Sequence, residues 1–177
     1  MNRADFSPEQ QSLTFQQTLL EIGVQHHTAG DLHKAEDIYQ QILKADPNHS
    51  NALHLLGMIY HQVGENERAV ELITRALVIK PDYAEAHNSL GVVFNELERL
   101  DEALFSCHKA LAFRPDYAEA HYNSGNVLKK LGRMKKAIAS YHKASDFRTD
   151  FAEAHNNIGT VFQDLKQMGK AVASYHK

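Results

Sequence analysis

The chain has 177 residues, with 19 Lys and Arg against 22 Asp and Glu, a formal net charge of −3. That balance lacks the global electrostatic footprint of a nucleic-acid binder, and no apolar run approaches the roughly 18–20 residues of a membrane span. Met1 to Phe15 shows no cationic segment followed by an apolar stretch, so no secretory signal is visible. A lone cysteine, Cys107, leans toward a reducing, cytoplasmic setting.

At the start, Ser7-Pro8-Glu9-Gln10 offers a helix cap, a proline in the first turn and a Gln partner. The first helix is expected from near Pro8 to about Thr28, with residues 1–15 as a flank and the start of that helix. From there a period takes over. Gly23, Gly57, Gly91, Gly125 and Gly159 stand 34 residues apart. Pro47, Pro81 and Pro115 keep the same step, as do Ala35, Ala69, Ala103, Ala137 and Ala171. A fixed period of this length marks a quasi-one-dimensional array. The array spans 16–177, with repeats at 16–49, 50–83, 84–117, 118–151 and an incomplete 152–177.

Each unit reads as two helices. In the third, Leu90, Val93, Phe94 and Leu97 fall on one helical face, and Ala103, Leu104, Cys107, Ala110 and Leu111 fall on a second. The break is Glu98-Arg99, where two other units carry Gly64 and Gly132. Asp82, Asp116 and Asp150, each with Glu85, Glu119 or Glu153 three residues on, are expected to form capping boxes for the first helix of a unit. Gly91 and Ala103 lie where two antiparallel helices must approach closely. The expected fold is all-α.

The pattern resembles the tetratricopeptide repeat. The second unit supplies Leu53, Leu56-Gly57, Tyr60, Gly64, Ala69, Ile73, Ala76 and Pro81 at the family positions. The fourth supplies His121, Ser124-Gly125, Leu128, Gly132, Ala137, Tyr141 and Ala144, with Thr149 in place of the proline. Glu98 and Lys166 replace the turn glycine, and Ile42 the late alanine. The resemblance implies a right-handed α-solenoid whose first helices line a concave groove that binds an extended peptide or a partner protein. Catalysis has no visible support in the residues, which offer no phosphate-cradling loop, so no enzyme and no cofactor are expected.

Carried onto this sequence, the family's groove positions include His54, Met58, His61, Asn88, Tyr122, Asn123, Asn126, Lys129, Asn156 and Asn157. The amides among them resemble the asparagine-lined groove in the repeat region of O-linked N-acetylglucosamine transferases. Only Asn123 and Asn157 occupy that ladder position, and Ser89 interrupts it. An amide both donates and accepts, so Asn123 and Asn157 are expected to hold a peptide backbone without reading its sequence. The clamp that reads a chaperone's terminal carboxylate is not reproduced: Asn126 and Asn157 match its amides, but Tyr122 and Glu153 stand where it needs cations.

Three further features invite chemistry. Lys129, Lys130, Arg133, Lys135 and Lys136 put five cations in eight residues, a solvated turn or a docking patch for an acidic peptide. Twelve histidines recur by duplication, but no two stand three or four apart, so no helix offers a paired metal-ligand face. Cys107 sits at a core position, where inert packing is expected. Finally, the chain stops at Lys177 inside a second helix, so Val161, Phe162, Val172 and Tyr175 are expected at an apolar end open to self-association. The alternative is that the array is the targeting arm of a larger transferase, as bacterial arrays with similar wording suggest.

Overall fold

The computed structural model describes residues 8–175, and side chains over 14–174. Ser7, His176 and Lys177, and the side chain of Tyr175, lie outside the described residues, as does the cap expected at Ser7. The chain divides into two compact units, Met1–Pro81 and Asp82–Lys177. The first holds α1 (Pro8–Thr28), α2 (Leu32–Ala45), α3 (Ser50–Gln62) and α4 (Asn66–Ile79). The second holds α5 (Ala84–Glu96), α6 (Leu100–Phe113), α7 (Ala118–Lys130), α8 (Met134–Phe147), α9 (Ala152–Asp164) and α10 (Met168–Tyr175). All described secondary structure is helical. Within each unit every odd-numbered helix packs on the even-numbered one that follows it, and pairs stack on pairs, the building plan of a solenoid.

The turn inside each pair is set by one left-handed residue. Gly30, Gly64 and Gly132 have φ of 80°, 83° and 70°, and Glu98 and Lys166 are held at 57° where their repeats lack the glycine. A Cβ on any of the three glycines would meet nothing within 4 Å, so the requirement is backbone conformation, not space. The following amide then reaches five residues back. Asp31, Glu65, Arg99, Arg133 and Gln167 N–H groups donate to His26, Tyr60, Phe94, Leu128 and Phe162 carbonyls at 2.8–2.9 Å. This is the Schellman closure, and it satisfies carbonyls the helix end would leave orphaned.

A second set of glycines is there for space. A Cβ on Gly57 would lie 2.8 Å from Ile73, one on Gly91 2.8 Å from the Cys107 sulfur, and one on Gly125 2.5 Å from the Tyr141 ring. The residues they admit, with Tyr39 opposite Gly23, form a series 34 residues apart that is wholly buried, as are Ala35, Ala69, Ala103 and Ala137. Cys107 is the small member of this series. Burial pushes its thiol up to about 12, out of reach of thiolate chemistry at neutral pH.

The capping boxes do not form. α5, α7 and α9 begin one residue later than expected, behind Tyr83, Tyr117 and Phe151, none of which makes a side-chain cap. Asp82 and Asp116 lie in the preceding turns, and Glu85 and Glu119 bond elsewhere. Glu85 pairs with Arg114, and Glu119 accepts from Arg148 at 2.7 Å. Each arginine also covers an aromatic ring, Arg114 over Tyr117 at 3.9 Å and Arg148 over Phe151 at 3.4 Å. An intra-repeat staple thus replaces the local cap, because a guanidinium offers the carboxylate a charged partner that a backbone N–H cannot match. Arg148 keeps the extended backbone of Arg114, φ −134° against −137°, although Thr149 stands where Pro115 would enforce it.

Two of the repeated histidines pack against aromatic rings. His87 stacks on Phe113 at 5.6 Å and His121 on Phe147 at 5.5 Å. Of the residues expected at an apolar end, Val161 is fully buried, since it faces inward, and Phe162 is half-buried. Val172 is 55% exposed, and Met168 and Leu165 join it at 63% and 39%.

Candidate functional site

The candidate groove residues divide between the units. In the first, His54, Met58 and His61 share one stripe of α3 by their spacing. His54 is buried, Met58 is half-buried, and His61 Nδ1 lies 2.9 Å from Asn66 Oδ1.

In the second unit the amides are drawn together. Asn123 Nδ2 on α7 donates to Asn88 Oδ1 on α5 at 2.9 Å, and Asn88 is itself buried. Asn157 Nδ2 on α9 donates to Asn126 Oδ1 at 2.9 Å and to the Tyr122 hydroxyl at 3.1 Å. From below, the Tyr141 hydroxyl donates to the same Asn126 oxygen at 2.9 Å. Tyr122 is fixed between Phe151 at 4.9 Å and Tyr141 at 5.8 Å. Tyr141 is fully buried, and desolvation raises its phenol further above its ordinary range, so it is a permanent donor.

Counting donors and acceptors shows what is left over. Both lone pairs of Asn126 Oδ1 are taken, so its two N–H groups remain. Both N–H groups of Asn157 are taken, so its oxygen remains. Asn123 keeps one N–H and its oxygen. These residues are half-exposed, and the spare groups stand on neighbouring helices as a donor beside an acceptor. Asn156 is exposed, and its carbonyl accepts from Thr160 Oγ1 at 2.8 Å.

Beside the network is a hollow of about 470 Å³ lined by Asn95, Asn126, Lys129, Lys130, Met134 and Asn157. Lys129 Nζ stands 3.9 Å from Asp164, and Lys130 Nζ donates to Glu98 at 2.8 Å and to the Asn95 carbonyl at 3.0 Å. Asn95 Oδ1 is buried with no hydrogen-bond donor among the described residues. The sequence alone does not single out Tyr141 for this face. Tyr141 reads as packing, and its hydroxyl matters only once Asn126 is seen above it.

Among the described residues no group of three His, Cys, Asp or Glu side chains is placed to hold a metal ion. No described helix is long and apolar enough to cross a membrane.

A family model described as tetratricopeptide repeat matches residues 26–91, and one described as TPR repeat matches 93–132 and 125–166. Neither is a model of a catalytic family. A comparison with curated protein sequences returned no match. Among solved structures, a crystallised MamA is 30% identical with a TM-score of 0.77, over 88% of this chain and 91% of that one. A thermophilic TPR protein of Thermus thermophilus is 25% identical with a TM-score of 0.77, over 91% of this chain and 88% of that one. PilF of Pseudomonas aeruginosa, 18% identical over 91% of this chain and 73% of that one, has a TM-score of 0.85 and shares the fold. Stacked helix pairs of this kind generally serve as protein–protein interaction scaffolds. On the helix pairs, the period and these matches, the chain belongs to the tetratricopeptide repeat family.

Proposed function

We propose that the protein is a non-enzymatic scaffold that holds an extended peptide segment of a partner protein against the α5, α7 and α9 face of its second unit. The observation that carries this reading is the bonding between Asn126 and Asn157, which fixes both side chains and leaves a donor on one beside an acceptor on the other. A peptide backbone presents the same two groups in the complementary order, one per residue. Because the amides are already held in place, a ligand loses little of its binding energy to ordering them. Asn123 extends the set toward α5, and Lys129 adds a positive charge at the edge of the hollow.

The test uses a peptide selected from a random library on the intact protein. The Asn123→Ala, Asn157→Ala double variant, shown to be folded by circular dichroism, should bind that peptide at least about tenfold more weakly. Equal affinity in the folded variant contradicts the reading.

A second reading, self-association through the last helix pair, rests on the exposure of Met168 and Val172. It predicts a concentration-dependent mass in light scattering that Met168→Glu abolishes. A mass that stays monomeric in the parent protein rules it out.

A further inference from the structure

A recess larger than the hollow beside Asn126 lies away from the amide network. α6 and α8 both pack on α7 and leave between them a trough of about 890 Å³. Leu104 and Leu111 form one wall, Phe147 the other, and Leu128 with the buried His121 and Ser124 the floor. It shares no lining residue with the hollow beside Asn126.

Cations outnumber carboxylates on its rim. From Ala120 to Ser145 the chain carries six cations and no carboxylate, although the whole protein is net −3. Lys130 pairs with Glu98, and Lys129 faces Asp164. Arg133, Lys136 and Lys143 line the trough and form no ion pair among the described residues. Asp146 is the one carboxylate on the lining.

We infer that this trough is a second docking site, which takes an acidic amphipathic helix of a partner protein. The shape favours a helix. Two flanking helices of 14 residues each, about 21 Å long, leave a straight groove into which a third helix packs by ridges and grooves. An apolar stripe at i, i+3, i+4 and i+7 fills the leucine and phenylalanine surface, as in other helix-in-groove complexes. Charge complementarity selects the helix: its polar flanks must be Asp and Glu to meet Arg133, Lys136 and Lys143, and a basic helix is repelled.

The test is a fluorescence anisotropy titration of the intact protein with a labelled synthetic peptide of about four helical turns, Leu on one stripe and Glu elsewhere. The peptide should bind saturably and more weakly as salt rises. The Lys136→Glu, Lys143→Glu double variant, altered at exposed side chains, should lose about tenfold or more in affinity while keeping its melting temperature. The Asn123→Ala, Asn157→Ala variant should bind the helix as the parent does, which separates this site from the peptide face. Absence of saturable binding, or full affinity in the charge-reversed variant, overturns the inference. So does equal binding of a peptide of the same composition with its leucines scrambled. Preferential binding of duplex DNA or of anionic phosphatidylglycerol vesicles through the same lysines overturns it in favour of those partners.

Discussion

The Tyr141 hydroxyl donates to Asn126 Oδ1 across 2.9 Å, linking the buried interior of the repeat to its polar face. In the first repeat the same two positions are filled differently. Tyr39 is equally buried, but Val24 stands at the position of Asn126, and the Tyr39 hydroxyl has no partner among the described residues. Its phenol is pushed up to about 12 by burial. Val24→Asn should therefore raise stability by about 1 kcal/mol, and Asn126→Val should lower it by about 1–3 kcal/mol by orphaning the Tyr141 hydroxyl and taking one of the two acceptors from Asn157. Urea denaturation of both variants checks the pair.

Glycines with different reasons should respond oppositely to the same change. Gly125→Ala drives a methyl to 2.5 Å from the Tyr141 ring, which cannot yield because it is fully buried. The expected loss is about 1–3 kcal/mol. Gly169 lies within α10 with nothing within 4 Å of an added Cβ, and Gly169→Ala should gain about 0.5–1 kcal/mol from helix propensity. Denaturation midpoints of opposite sign are the expected result.

The arginine staple makes a prediction about which partner matters. Arg148 both pairs with Glu119 and covers Phe151, whereas Glu119 makes the ion pair alone. Both side chains are partly exposed, so the ion pair itself is worth under about 1 kcal/mol. Arg148→Ala should cost about 1–2 kcal/mol, since it also uncovers the ring. Glu119→Gln should cost less than half of that, measured by chemical denaturation at fixed salt.

His121 gives the fold a pH dependence of definite sign. Burial holds its imidazole below the ordinary histidine range, against the opposing effect of its bond to the Pro115 carbonyl, and Lys143 adds repulsion. The unfolded chain takes up the proton more readily than the folded one. The stability from neutral His121 is therefore complete above about pH 6.5 and is lost as pH falls through the lowered folded value. His121→Gln should flatten that decline in denaturation midpoints measured between about pH 7.5 and 5.

The helix pairs were legible because they follow from spacing alone. A 34-residue step in Gly and Ala fixes where helices meet, and α3, α5, α7 and α9 begin at residues 50, 84, 118 and 152. The caps were misread because Asp82 and Glu85 satisfy a local rule while Arg114, which draws Glu85 away, lies 29 residues on. The amide network was half legible. The period places residues 34 or 35 apart on neighbouring helices, so Asn88 beside Asn123 follows from it, but the direction each amide turns does not. The trough was harder still. In the sequence its turn cations read either as a solvated turn or as a docking patch for an acidic peptide, and the convergence of Leu104, Leu111 and Phe147 beneath Lys136 and Lys143 is visible only in the fold.

The most direct measurement is of the side-chain amide resonances of Asn123, Asn126 and Asn157 in isotope-labelled protein titrated with the library-selected peptide. Saturable shifts centred on these three, with Tyr122 perturbed and α6 silent, are the predicted result. Saturable binding that leaves all three amide signals in place contradicts the peptide-holding face.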